Sequence, residues 1–151
     1  MTLERYQVRA AVWSDDQFTY ELHREALGDV VEVTWGPWDD ATQRRFHQRW
    51  FSPERLRIVV VDNEPVGVLD AAIEDRGVLY LSRIELLTRF QGRGLGSRLI
   101  RDLLVQARQD GATGAELHVL KANRAKQLYE RLGFRTIADE DPKVRMRLDW
   151  E

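Results

Sequence analysis

"RFQGRGLGSRLI", residues 89–100, places three of the chain's ten glycines within five positions, after an apolar stretch ending at Leu87 and before a segment with helical apolar spacing. A strand that runs through Gly92, Gly94 and Gly96 into a helix presents backbone N–H groups at the positive end of a helix dipole, an arrangement suited to phosphate. Without Cβ atoms a ligand can lie against the main chain, and glycine takes positive φ without strain. A tight turn that only needs conformational freedom is the plainer reading of the same residues.

Outward from this loop the pattern alternates strand and helix. From Leu95, the residues Leu99, Ile100, Leu103, Leu104 and Ala107 keep helical spacing opposite Arg98, Arg101, Asp102 and Arg108, and Gly111 ends the segment. Before the loop, residues 55–62, 66–74 and 78–87 read as three strands with connections short enough to make them antiparallel. After it come a strand over 115–120, a short helix over 123–133 stopped by Gly133, a strand over 134–138 and an alternating strand over 143–150. At the start, residues 6–12 read as a strand and 15–27 as a helix ended by Gly28. Trp35, Trp38, Phe46, Trp50 and Phe51 then cluster around a Gly-Pro break, with Asp40 and Gln43 spaced as the capping box of a second helix. The sum is an α/β (α+β) chain: a mixed, mostly antiparallel sheet with helices on both faces.

At 151 residues the expectation is one domain, 1–151, with a core that needs no disulfide or metal. The net charge of −2, from 23 basic and 25 acidic side chains, gives no broad basic field for nucleic acid or an anionic membrane. No apolar run approaches the ~18 residues of a membrane span, and the first residues have no signal-like apolar core, so a cytoplasmic location is expected. The chain has no cysteine, which excludes disulfides, thiolate metal sites and a thioester on its own side chain. His23, His47 and His118 lack metal-ligand spacing, and no metal is expected.

Three phosphate-binding patterns compete for the loop. A P-loop is excluded because no lysine follows the glycines at the required place. A dinucleotide fingerprint fails at its third glycine, where Ser97 stands, and the next strand runs into Lys121 rather than an acidic residue. The third pattern fits: "QGRGLG" (91–96) resembles the Q/R-x-x-G-x-G/A signature of the GNAT acetyltransferase superfamily. "NRAKQLYERLGF" (123–134) resembles that superfamily's later N-x-x-A-x-x-x-Y-x-x-x-G-F segment, at the expected distance.

That resemblance implies a GNAT fold in which strands 78–87 and 115–120 run parallel and then splay into a V that receives acetyl-coenzyme A. It implies cofactor contacts from Leu86 and Leu87 to the pantetheine arm, and from Gln91, Gly92, Arg93, Gly94, Leu95, Gly96 and Ser97 to the pyrophosphate. Asn123 either caps its helix or bonds the pantetheine. With no cysteine, direct attack by an amine in a ternary complex is expected. The resemblance makes the Leu87 N–H the oxyanion donor and Tyr129 the acid for the leaving thiolate, against a plainer reading of Tyr129 as a core aromatic.

Glu85 either draws a proton from the acceptor through a water or is an ordinary exposed strand carboxylate. Trp35, Trp38, Asp39 and Asp40 fall where the superfamily shapes its acceptor site, and could form an aromatic, acidic pocket for a cationic amine; core tryptophans and a capping aspartate are the alternative. The expected partner is a small-molecule or peptide amine, with homodimer formation left open. A non-catalytic acyl-coenzyme A binding module and a nucleotide-binding α/β domain are the rival functions.

Overall fold

The computed structural model describes residues 5–150, so the extreme ends of the expected 1–151 domain, and the first four residues of the segment read as lacking a signal, lie outside the described residues. In chain order the elements are β1 (Gln7–Ala10), α1 (Asp16–Trp35), α2 (Asp40–Trp50), β2 (Arg57–Val61), β3 (Glu64–Ile73), β4 (Val78–Leu86), α3 (Leu95–Gln109), β5 (Gly114–Leu120), α4 (Ala125–Arg131), β6 (Arg135–Glu140) and β7 (Lys143–Asp149). The strands form a seven-stranded sheet in the order β1-β2-β3-β4-β5-β7-β6. β1–β2, β2–β3, β5–β7 and β6–β7 are antiparallel, whereas β4 and β5 run parallel, as the resemblance implied. No helix among the described residues is long and apolar enough to cross a membrane.

The chain divides into two compact units, Met1–Asp70 with Arg83–Arg93, and Ala71–Ser82 with Gly94–Glu151. In the first, Ala11, Leu22, Phe51, Leu56, Ile58 and Val68 form a buried cluster, with Phe18, Trp50, Val60 and Leu87 packed against it. Leu22, Ile58 and Val68 are fully enclosed, each contributing about 1.5–3 kcal/mol of apolar burial. The Arg9 guanidinium holds both oxygens of Asp15 at 2.9 Å, and Asp15 also accepts from the Val12 N–H at 2.8 Å. This fixes the entry to α1.

In the second unit, the β4–β5 ladder joins Val78–Leu81 to Gly114–Leu117 and stops there, while β5 continues to Leu120 in register with β7. Leu95, Leu99, Ile100 and Ala107 form the buried stripe of α3, as their spacing predicts.

Two expectations fail near the N-terminus. α1 does not stop at Gly28 but runs 20 residues to Trp35, and the chain leaves it at Gly36, φ +99°. An isolated glycine costs a helix only about 1 kcal/mol, so Gly28 weakens the pattern without ending it. The cap of α2 is Asp39 rather than Asp40: its Oδ2 accepts from the Thr42 N–H at 3.2 Å and from the Thr42 hydroxyl. The step of one residue matters because it frees Asp40 for other partners.

Candidate functional site

Most residues singled out in the sequence lie on the loop after β4 or at its edges. The structure gives Gly92 φ +73° and Gly94 φ +82°, a region L-side chains seldom occupy, and a Cβ on either would meet no atom within 4 Å. The two glycines therefore answer a backbone demand, and the space before them is open. Gly94 is the N-cap of α3 and supplies no side-chain bond to its first turn; the helix ladder begins with the Arg98 N–H on the Gly94 carbonyl, 3.1 Å. The first-turn N–H groups of Leu95, Gly96 and Ser97 have no capping side chain, so α3 starts with its positive end bare.

The Gln91 side chain is engaged with the preceding strand. Its Nε2 donates to the Leu86 carbonyl at 2.9 Å, tying the loop back to the end of β4. Arg93 is exposed, with its guanidinium 5.1 Å from the centre of the Phe90 ring. Asn123 lies one residue before the Arg124 cap of α4, and its Oδ1 accepts from the Ala125 N–H at 2.9 Å. Tyr129 is buried in α4 with its ring edge-on to Phe134, centroids 6.0 Å apart.

The Leu87 N–H, the expected oxyanion donor, already has a backbone partner. The Leu87 N–H donates to the Val66 carbonyl at 2.9 Å and is spent on the β3 side. Backbone groups of successive strand residues point to opposite edges, so the Leu86 N–H faces the edge of β4 away from β3. Of the two, only the Leu86 N–H is directed away from β3.

Glu85 is not an exposed strand carboxylate. Its side chain is only 3% exposed and enters a cluster drawn from three elements: Oε2 lies 2.7 Å from His23 Nδ1 on α1 and accepts from Arg83 Nη1 at 3.2 Å. The Arg83 guanidinium in turn lies 3.4 Å from the centre of the Trp50 ring on α2. Glu85 Oε1 is buried without a hydrogen-bonding partner. Burial, the strongest influence, opposes ionisation of Glu85; the Arg83 charge and the His23 hydrogen bond together outweigh it, and the carboxyl is held below its ordinary range.

The four residues expected to frame an acceptor pocket are not gathered by the fold. Trp35 is 64% exposed at the end of α1, and Asp39 is the α2 cap. Asp40 accepts from the Tyr20 hydroxyl and from Arg44 Nε at 3.2 Å. Only Trp38 turns towards the Glu85 cluster, its ring centre 6.1 Å from His23.

Sequence reasoning missed His23 and Arg83 as site residues. Thr19, Tyr20 and Leu22 mark the buried face of α1, and His23 lies three residues beyond Tyr20 on its border. That periodicity was visible; the pairing with a carboxylate 62 residues away was not.

Comparison with known proteins bears on the fold and the family. The model of the acetyltransferase (GNAT) family matches residues 12–134. The chain is 29% identical over 80 residues to the ribosomal protein bS18-alanine N-acetyltransferase of Haemophilus influenzae, covering 52% of this chain and 53% of that protein; the chain thus matches about half the length of this curated relative. Among solved structures, the PaiA N-acetyltransferase of Thermoplasma acidophilum, in complex with coenzyme A, superposes with TM-score 0.77 at 15% identity over 97% of this chain and 99% of that one. The ribosomal-protein-S18-alanine N-acetyltransferase of Escherichia coli superposes with TM-score 0.67 at 19% identity over 96% and 94%. A family match across this much of the chain, joined to a parallel β4–β5 pair and a glycine loop opening α3, makes the chain a member of the GNAT acetyltransferase family.

Proposed function

We propose that the protein transfers the acetyl group of acetyl-coenzyme A to a primary amine of a small molecule or peptide, by direct attack in a ternary complex. The observation that carries this reading is the loop Gln91–Ser97: two glycines at positive φ with open space before them, leading into a helix whose first N–H groups have no cap. These groups fit a diphosphate, because a helix N-terminus with bare backbone donors favours a bound anion. Gly92, Arg93, Gly94, Leu95, Gly96 and Ser97 would hold the cofactor there, and when bound it supplies the acetyl thioester.

The chain's own residues then have separable tasks. Gln91 stabilises the loop through the Leu86 carbonyl and so sets the end of β4. The Leu86 N–H, directed away from β3, is the donor for the oxyanion that develops on the acetyl carbonyl. Tyr129 is the acid for the departing thiolate, supported by its place in the family's second motif. The absence of cysteine supports transfer without an acyl-enzyme on a thiol.

Two measurements on the purified chain test this reading. Acetyl-coenzyme A should raise the melting temperature more than NAD or ATP does, and coenzyme A should be released when a panel of amines is added. Stabilisation without release would instead identify a non-catalytic acyl-coenzyme A binding module, and preference for NAD or ATP would overturn the cofactor assignment.

A further inference from the structure

We infer that His23, held by Glu85, is the proton acceptor for the incoming amine, and that Glu85 is its positioning residue rather than the base itself. This rests on the acetyltransferase reading above. All the groups concerned lie in the first compact unit.

The tautomer follows from the partners. Glu85 Oε2 is 2.7 Å from His23 Nδ1, and an ionised carboxylate can only accept, so Nδ1 must carry the hydrogen. Arg83 Nη1 also approaches Nδ1, at 3.1 Å, but reaches Glu85 Oε2 at 3.2 Å. With Nδ1 protonated, the Arg83 donor serves the carboxylate. The neutral imidazole is thereby left with its lone pair on Nε2, for which the described residues provide no hydrogen-bonding partner.

Accessibility separates the two bases. The Glu85 side chain is 3% exposed and has its charge stabilised by Arg83, whereas the His23 side chain is 15% exposed. A stabilised, enclosed carboxylate is a weak and remote base; an imidazole oriented by a carboxylate behind it is a good one. Two tryptophans fix the ring, with Trp38 and Trp50 centroids 6.1 and 5.9 Å from it.

In the step itself, the amine nitrogen bonds to the acetyl carbon and gives up its surplus proton to His23 Nε2. The carbon–sulfur bond breaks with its electron pair going to sulfur, which takes the Tyr129 hydroxyl proton to leave as the thiol, Tyr129 being reprotonated from solvent. The imidazolium formed beside Glu85 then returns its proton to solvent. The charged and titratable groups that face His23 are Glu85 and Arg83 from β4 and His47 from α2; Arg24, its neighbour on α1, lies 5.9 Å from the centre of the Trp38 ring.

Nitrogen-15 spectra of the full chain labelled at histidine, with signals assigned through single histidine replacements, should show neutral His23 protonated at Nδ1; protonation at Nε2 overturns the inference without any assay of activity. With acetyl-coenzyme A as donor and an alanine-initiated peptide, a linear diamine and 2-phenylethylamine as acceptors, His23→Gln should lower kcat/KM about 100-fold or more. It should leave thermal stabilisation by acetyl-coenzyme A unchanged and act by lowering kcat rather than by raising KM. Glu85→Gln, which can still accept from Nδ1, should cost less, again in kcat rather than in KM. An active wild type with an equally active, folded His23→Gln overturns the role of His23 alone. A wild type that binds acetyl-coenzyme A and acetylates none of the three overturns the acetyltransferase reading for these amines, and the proton-acceptor role with it.

Discussion

Two glycines show how different requirements select the same residue. Gly67 on β3 has no unusual φ, but a Cβ there would lie 2.6 Å from Leu86 Cδ2 and 2.7 Å from the Glu85 carbonyl oxygen. The second contact is backbone and cannot swing aside, so Gly67→Ala must push β3 and β4 apart just where Glu85 and Leu86 are set. Chemical denaturation should show a loss of about 2 kcal/mol, accompanied by loss of the His23–Glu85 coupling in the histidine spectra. Gly94 is the opposite case, with ample space and φ +82°. A β-branched residue there costs about 1–3 kcal/mol in backbone strain. Gly94→Val should therefore weaken acetyl-coenzyme A about tenfold or more by calorimetric titration, and unchanged affinity in a folded variant would remove the loop from cofactor binding. The sequence disclosed Gly94 through its motif. Gly67 was silent, since close approach between strands leaves no mark in a single chain's composition.

At the scale of elements, periodicity revealed the helices better than their ends. The stripe of α3 was readable residue by residue because Leu95, Leu99, Ile100 and Ala107 are all buried. α1 was cut short at Gly28, although that residue sits within the helix without positive φ, and a Cβ added to it would meet nothing within 4 Å. Gly28→Ala should accordingly stabilise the protein by about 0.5–1 kcal/mol, through lower unfolded-chain entropy and better helix propensity. A destabilised variant would mean that α1 needs the break that sequence reading assigned to it. The cap of α2 behaves as ordinary capping chemistry, and Asp39→Ala should cost about 1 kcal/mol in the same measurement. Site chemistry was legible only where it is local: the loop and Asn123 announce themselves within a few residues, while the cluster of Glu85, His23, Arg83 and Trp50 assembles from β4, α1 and α2. Its members acquire meaning only through tertiary packing.

For the whole molecule, buried ionisable groups set how folding responds to acid, and the direction follows from which form each group prefers when folded. Burial pushes the His47 imidazole below its usual pKa, against the pull of Asp16 at 2.6 Å. The unfolded chain then takes up this proton first, so stability is whole above about pH 6.5 and declines as pH falls from there towards the folded value. The carboxyls of Asp15, Glu85 and Glu116 are also depressed: Asp15 chiefly by its hydrogen bonds from Arg9, Glu85 and Glu116 because their arginine and histidine partners outweigh burial. Their contribution is present above about pH 4 and is lost as pH falls through their lower folded values. Urea denaturation from pH 8 to pH 3 should therefore show two successive declines, the upper from His47 and the lower from the carboxylates. His47→Gln should start from a lower plateau, having lost the ring's packing against Trp50 and Phe51, yet should show a shallower slope between about pH 6.5 and pH 5 with the lower decline intact. If the slope in that upper interval matches the wild type, His47 is not the group whose protonation opposes folding there.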